Sequence, residues 1–501
     1  MPFSHTLPTI QQLFFVAVTL FFLPLSTVAL ILNYATLNLI PRNALRRRLR
    51  RSTQFQSRTI LLTGVGTPQG LRLARAFYQT GHNVVGADFE LWSIASHARC
   101  SKAISKFYRL HSGGRHGGTP FIHDLLQIIQ KERVDMWISC SDAVSPLEEA
   151  RAKNIIENKT SCTCFVLGVK DAPHFQSRQQ FLSFTKGLGL PIPERHQVKS
   201  RNEIHSVLNR AQGRRRYTLH APDGTYTTYP RTLLPQRTVS QTYNEISRMK
   251  ITQTTPWVLE QYIEGLEKYT TFGVVVQGCV KAFAASPLSE SETYYQALPA
   301  TSGRNRAMLR YVQNLARKLG PEFSGHLCID FCIDERMTET GLESNILPID
   351  CRIRAQASVL MFQGLNGSID LARSYVAACA PMSNGTSTVV GPPQPESEED
   401  VALPVDSSSG VYYLGQDILQ LLIKPVMQFS TFKIKLSLLT RQLLMLVNHI
   451  IFWREGMYAL WDPLPFWWLY HVYIPARLFR SILSADDRYH DPTNITKIME
   501  V

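Results

Sequence analysis

The chain has 501 residues, 44% of them hydrophobic, which is enough for two or three domains with cores of their own. Its 53 basic and 39 acidic residues leave a formal charge of +14, and much of the excess is local, with Arg42, Arg46, Arg47, Arg48, Arg50, Arg51 and Arg58 following one apolar segment. That placement suits a membrane surface. With no base-reading helix and no aromatic–basic platform, nucleic acid is not an expected partner.

In chain order, Leu13–Leu32 carries no charge and is long enough to span a bilayer as one helix. The basic residues follow it, which argues against a cleaved signal and for an anchor at residues 1–57, with the remainder of the chain in the cytosol. The sequons at Asn158, Asn366, Asn384 and Asn494 would then stay unglycosylated. From Arg58, RTILLTGVGTPQGLRLARAFYQTGHNVVGADF reads as strand, Gly-rich turn, helix and strand, and the βαβ pattern continues through a helix at 120–132 and the strand VDMWISC. Gly64, Gly66, Gly70 and Asp88 suggest a dinucleotide fold, but the spacing GxGxxxG is one residue off that fingerprint. Next come a helix ending near Gly187 and Gly189, the strand RRRYTLHAPDG, a helix at TVSQTYNEISRMKITQ, and strands in WVLEQYIEGLEKYTTFGVVVQGCVKAFAAS. A helix RAMLRYVQNLARKLG follows. The Ser-, Pro- and Gly-rich stretch 381–410, with its acidic run Glu396–Asp400, reads as a disordered linker. Residues 411–483 are apolar and helical, with Trp467, Trp468, Tyr470 and Tyr473 beside dispersed lysines and arginines. They suit either a membrane interface or a cover over the rest of the chain.

The most informative stretch is Gly325–Ala357, GHLCIDFCIDERMTETGLESNILPIDCRIRAQA. It reads as two short strands about a tip near Thr340, with Asp330 and Asp350 opposite one another on a polar face that Arg352 and Arg354 share. Such a face is either a solvated salt-bridge ladder or a magnesium and phosphate site. His326, Cys328 and Cys332 lack the second ligand pair that a zinc site needs. The nine cysteines are odd in number and dispersed; Cys140, Cys279, Cys328 and Cys351 lie in apolar runs, as buried thiols of a reducing compartment do.

The order helix–GLPIP, strand and loop, WVLEQYIEGLEKYTT, then GHLCIDF…LPIDCRIRA resembles ATP-grasp enzymes of the carbamoyl-phosphate-synthase-like group. YTLHAPDGTYTTYPRTLLP and DPLPFWWLYHVYIPARL resemble the ATP-grasp proteins of fungal secondary-metabolite clusters. The resemblance implies an α/β plus α+β fold, with a pre-grasp Rossmann-like domain at 58–170 and an ATP-grasp domain at 171–380; the linker 381–410 and the helical region 411–501 follow from composition. It implies ATP and Mg²⁺ as cofactors and small-molecule carboxylate and amine substrates; the apolar N-terminal stretch adds a lipid bilayer as an expected partner. By the same resemblance Glu260 and the backbone of Ile263 would hold adenine, Glu267 the ribose and Arg178 the α-phosphate. Asp330 and Asp350 would bind metal, and Arg354 would stabilise phosphate or an acyl-phosphate.

Three positions depart from the pattern. His220 stands where a phosphate-binding Lys is expected, and it is mostly neutral at pH 7. Arg352 stands where an Asn ligates the second metal, and a guanidinium cannot ligate. Asp350 replaces a Glu, shortening its reach by about 1.5 Å, one carbon–carbon bond. The expected activity is an ATP-dependent carboxylate–amine ligation. The alternatives are a degenerate relative that binds nucleotide or a partner without turnover, and an NAD-linked oxidoreductase built on the Gly64 turn.

Overall fold

The structure, a computed structural model, describes residues 3–37, 44–52, 55–90, 94–111, 119–211, 215–220, 232–249, 251–254, 256–262, 267–288, 294–338, 341–379, 401–405 and 409–484. Three N-terminal helices, α1 (Phe3–Phe21), α2 (Leu23–Leu37) and α3 (Ala44–Arg51), precede β1 (Thr59–Thr63), α4 (Pro68–Gln79), β2 (Asn83–Asp88) and β3 (Lys106–Arg109). Then come α5 (Thr119–Glu132), β4 (Met136–Ser139), α6 (Pro146–Lys159), β5 (Thr163–Phe165), α7 (Arg178–Gly187), β6 (Arg195–Val198), α8 (Arg201–Ala211), β7 (Arg216–His220) and β8 (Thr232–Leu234). The middle of the chain supplies α9 (Val239–Ser247), β9 (Trp257–Tyr262), β10 (Lys268–Val276), β11 (Cys279–Pro287), α10 (Gly303–Leu319), β12 (Gly325–His326), β13 (Cys328–Thr338), β14 (Gly341–Arg352) and α11 (Gly364–Val376). The last part holds β15 (Val411–Tyr412), α12 (Leu414–Asp417), α13 (Lys424–Ser430), α14 (Leu436–Phe452), β16 (Arg454–Glu455), α15 (Leu464–Trp468) and α16 (Ile474–Ser484), with π-helical turns at Ile418–Ile423 and Leu469–Tyr473. The fold is thus mixed α/β, with a five-stranded parallel sheet, antiparallel sheets and the short parallel pair β15–β16. Two compact units result: Met1–Ser177, Thr270–Ile329 and Arg352–Val501 form the first, Arg178–Tyr269 and Asp330–Cys351 the second.

The first unit is built on a five-stranded parallel sheet of order β3-β2-β1-β4-β5. Its strands are buried on both faces, as parallel strands covered by crossover helices must be. Ile60, Leu62, Val84, Met136 and Ile138 enter one core cluster, and Leu61, Val85 and Trp137 another. The turn from β1 into α4 needs its glycines. Gly64 has φ 71°, and a Cβ on Gly70 would lie 2.5 Å from the Gly64 carbonyl oxygen. Thr67 then caps α4, its Oγ1 accepting from the Gly70 amide at 3.1 Å, with Pro68 in the first turn. The β10–β11 hairpin turns at Gln277 and Gly278, both at positive φ as a type I′ turn requires.

The apolar stretch Leu13–Leu32 does not form the single spanning helix expected of it. It divides between α1 and α2 with a 48° bend, and among the described residues no single helix is long and apolar enough to cross a membrane; the bent pair has the length and composition together. Pro24 accounts for the break, since its ring takes away an amide and crowds the carbonyl one turn back. Nor does the segment stand apart. Phe15 of α1 is fully buried in a cluster with Leu71 of α4 and with Tyr413, Leu469, Ile474 and Leu478 of the C-terminal region. Trp467 donates to Thr27 Oγ1 at 3.2 Å, and Ser26 Oγ lies 2.6 Å from His471 Nε2.

The basic flank is partly engaged too. Arg46 donates to the carbonyls of Tyr78 and His82, and Arg50 to Gly81 O at 2.8 Å, so two guanidiniums cap the negative C-terminal end of α4. Arg47, Arg48 and Arg51 stay exposed, while Arg42 lies outside the described residues. The C-terminal helices pack onto this unit through Arg75 of α4. It pairs with Asp462 (2.9 Å) and donates to the carbonyls of Met457 and Asp462. Part of the expected disordered linker is also ordered. Ala402 bridges Ala282 of β11, with Phe283 N donating to Ala402 O at 2.9 Å. The acidic run Glu396–Asp400 lies outside the described residues.

The second unit carries an antiparallel sheet of order β6-β9-β7-β8. Val198, Tyr217, Leu219, Trp257 and Leu259 form its core with Ile204 of α8 and Ile246 of α9. Its remaining strands are β14 up to Cys351 and β13 from Asp330. These two strands are longer than expected from sequence, and their tip at 339–340 lies outside the described residues.

Candidate active site

Six of the residues singled out in the sequence fall in the second unit: Arg178, His220, Glu260, Glu267, Asp330 and Asp350. Arg178 opens α7, and its guanidinium faces two strands. It donates to the carboxylate of Glu260 on β9 and, at 2.7 Å, to Ile349 O on β14. Arg195 Nε lies 3.4 Å from the other oxygen of Glu260. Two guanidiniums flank one buried carboxylate, so this triad keeps a net positive charge. The arginine expected on phosphate and the glutamate expected at adenine are therefore bonded to each other, and to the strand that carries Asp350.

The register explains where His220 sits. Thr218 of β7 is paired with Glu260, and His220 with Val258. Thr218 Oγ1 lies 3.0 Å from His220 Nε2, so the imidazole turns back along its own strand toward the Glu260 segment. Glu267, just before β10, is exposed and accepts from the Tyr269 hydroxyl. Ile263, Gly265 and Leu266 lie outside the described residues, as does the loop with Gly224. Asp330 is buried, and Asp350 is half-buried with Oδ1 accepting from Cys351 N at 2.9 Å. Cys332 Sγ lies 3.6 Å from Leu347 O, across the neighbouring strands β13 and β14 that carry Asp330 and Asp350. Two carboxylates form a hard oxygen donor set that fits a magnesium ion. Among the described residues no three His, Cys, Asp or Glu side chains converge as a metal site.

The two arginines after Asp350 belong to the first unit. Arg352 donates to Gln356 Oε1 at 3.1 Å. Arg354 is buried, and each of its nitrogens is used: Nε to Glu149 at 3.0 Å, Nη1 to Asp142 at 2.6 Å, and Nη2 to the Val144 carbonyl. Ser139, at the end of β4, donates to the other oxygen of Glu149. Glu149 and Asp142 hold the Arg354 guanidinium above its usual pKa, even though burial acts the other way. Sequence reasoning took VDMWISC as a strand of the βαβ pattern and missed Glu149 beyond it. The signal lay in its place on the first turn of α6, one turn behind the cap Ser145.

Two other candidates resolve differently. Asp88 does not stand ready for a ribose. Its Oδ2 accepts from Gly66 N at 2.7 Å and its Oδ1 from Phe89 N at 2.8 Å, so it closes the Gly-rich turn on itself. The hollow beside it, lined by Gly66, Thr67 and Asp88, holds about 10 Å³, too little for a dinucleotide. His326 is fully buried among Phe165, Phe272 and Tyr375, with Nε2 2.7 Å from the Tyr375 hydroxyl. Burial lowers its pKa to about 3, as does the nearby Arg354 charge. All nine cysteines are free thiols, and Cys279 is half-buried rather than buried.

No protein-family model and no curated protein matches the chain. Among solved structures it is similar to N5-carboxyaminoimidazole synthetase from Staphylococcus aureus complexed with ADP, at 14% identity over 64% of this chain and 77% of that one, with a TM-score of 0.43. It is also similar to the biotin carboxylase subunit of pyruvate carboxylase, at 14% identity over 70% and 73%, TM-score 0.48. A third is the biotin carboxylase domain of the Hydrogenobacter thermophilus 2-oxoglutarate carboxylase in complex with MgADP, at 14% identity over 71% and 74%, TM-score 0.44.

Proposed function

We propose that the chain is an ATP-grasp ligase of secondary metabolism, which activates a small carboxylate with ATP and Mg²⁺ and passes it to an amine or another nucleophile. The observation that carries this reading is the gathering of Arg178, His220, Glu260, Glu267, Asp330 and Asp350 in one unit, with Arg178 joining the Glu260 strand to the Asp350 strand. Bound ATP supplies the phosphoryl group that makes the carboxylate reactive. Asp330 and Asp350 would hold its magnesium through hard oxygen donors, and the net positive Arg178–Glu260–Arg195 triad would orient the phosphates. Glu267, exposed just before β10 and accepting from the Tyr269 hydroxyl, would turn to the ribose hydroxyls. The protein's share of the chemistry is placement and charge.

One observation favours the second reading, a nucleotide-binding protein without turnover. Arg354 is spent on Glu149, Asp142 and Val144. The full-length chain, incubated with ATP, Mg²⁺ and a panel of carboxylates and amino acids, should release ADP and phosphate in a substrate-dependent way. ATP binding without release supports the second reading, and no ATP binding by calorimetry overturns both.

We further propose membrane attachment with the rest of the chain on the cytosolic side. Support comes from the exposed apolar residues of α1–α2 (Phe21, Leu25, Ile31) and of α14 (Leu444, Ile451, Phe452), from Phe432, and from the neighbouring Lys433 and Lys435. Endoglycosidase treatment of the native protein should leave its mobility unchanged.

A further inference from the structure

Within the first unit, α4, α11, the β15–β16 pair and the segment 456–466 surround a cavity of about 660 Å³. Its walls are apolar and aromatic, with Ile450, Trp453, Leu460, Trp461 and Phe466 prominent. That volume falls in the range of small-molecule sites, about 300–1,000 Å³. It suits one acyl chain rather than a two-chain lipid.

Three guanidiniums reach the same cavity, those of Arg72, Arg75 and Arg454. Only one is neutralised: Arg75 by Asp462. Arg72 donates to Phe362 O (through Nε at 3.1 Å and again through Nη2) and to Ser368 Oγ at 3.1 Å, and neither acceptor is a carboxylate. With three of its five N–H donors used, two are left over. Burial and the charges of Arg75 and Arg454 lower its pKa to about 10, so Arg454 is close enough to be felt. Arg454 is exposed, and among the described residues its guanidinium makes no hydrogen bond or ion pair. The one acid on the wall, Glu455, is turned elsewhere, onto the amides of Met457 (2.7 Å) and Tyr458 (2.6 Å) and the Tyr470 hydroxyl (3.0 Å). The partly buried Arg72 charge, without a counter-ion beside an apolar chamber, costs free energy unless an anion joins it, and the exposed Arg454 can meet that anion at the mouth.

We propose that this cavity binds a long-chain fatty carboxylate, its head between Arg454 and Arg72 and its chain along Trp453, Leu460 and Trp461. None of the residues lining the cavity is one assigned to ATP, and the proposal does not depend on the ligase reading. Ile450 continues into the exposed apolar face of α14, which gives an acyl chain a path from a lipid surface.

The test uses the full-length chain without nucleotide and cis-parinaric acid, a fluorescent fatty acid excited by energy transfer from Trp453 and Trp461. Saturable one-site binding is expected. Arg454→Gln should weaken it about tenfold or more, the effect of losing one charge-assisted contact. Leu460→Trp, which fills the chamber from a half-exposed position, should weaken it as well. The methyl ester should bind about tenfold more weakly than the acid, by the same loss of charge. The proposal is overturned by absent saturation, by unchanged affinity in both variants, or by ester and acid binding alike. Displacement by phosphatidate but not by palmitate would also overturn it.

Discussion

Asp462 fastens the C-terminal helices to the α/β layer, and its removal should show by how much. The residue is completely buried, paired with Arg75 Nε at 2.9 Å, and accepts from Ser101 Oγ at 2.6 Å and Lys102 N at 2.9 Å. Asp462→Ala strands the Arg75 guanidinium, itself buried, together with a hydroxyl and an amide. Removing one member of a buried pair costs about 3–5 kcal/mol. At 1.4 kcal/mol per tenfold, local opening of residues 411–484 becomes roughly 100- to 4,000-fold more frequent. When reclosing outpaces cleavage, native-state proteolysis reads that population directly, so cleavage in this segment should accelerate by a similar factor. The double variant Arg75→Met, Asp462→Leu removes both charges and should open far less than the two single effects multiplied together. Acceleration below about fivefold in Asp462→Ala would refute the reasoning, since it would mean that the helices are held by the Phe15–Leu469 cluster alone.

Other outcomes follow from the same geometry. His326, held neutral with a pKa of about 3, takes up its proton only on unfolding. Between about pH 3 and 6.5 the unfolded state therefore binds more protons, and stability rises with pH by at most about 1.4 kcal/mol per unit from this group. His326→Phe should flatten that slope in urea titrations at pH 4.5 and 6. Phe432→Ser, at a side chain 94% exposed, should reduce flotation with anionic vesicles and leave the urea midpoint unchanged. Glu260→Gln, which leaves Arg178 and Arg195 without their shared carboxylate, should lower ATP affinity measured by calorimetry, because the two guanidiniums lose the group that aligns them. Gly70→Ala should destabilise the first unit by more than about 1 kcal/mol in urea, because its Cβ would meet the Gly64 carbonyl oxygen at 2.5 Å.

Much of this architecture was legible where the deciding interactions are local. The β1–α4 unit announced itself through Gly64, Gly66 and Gly70, and the β13–β14 pair through its alternation, though not its length. Of the second-unit residues, Asp330 and Asp350 could be read from strand alternation, while Arg178, His220, Glu260 and Glu267 were reached only through the resemblance to ATP-grasp enzymes. What could not be read was long-range. Nothing near Arg354 in the sequence indicates Glu149, more than two hundred positions earlier, and nothing near Asp88 shows that it bonds Gly66 instead of waiting for a ligand. The apolar N-terminal stretch misled for a related reason. Hydropathy counts greasy residues without asking whether Phe15 already has partners, and it gives no weight to one proline in the middle.

The burial of Phe15 against Leu469, Ile474 and Leu478 also fixes an order of events during synthesis. The first helix leaves the ribosome with its apolar stripe bare, and Leu469, Ile474 and Leu478, which cover it, follow much later in the chain. At about 5–20 residues per second, a chain of 501 residues leaves that stripe waiting for roughly 25–100 s. A nascent chain so arranged needs a host for its leading helix throughout that interval, a chaperone or a lipid surface. Any stall before residue 469 would release a product whose first helix has lost its partner.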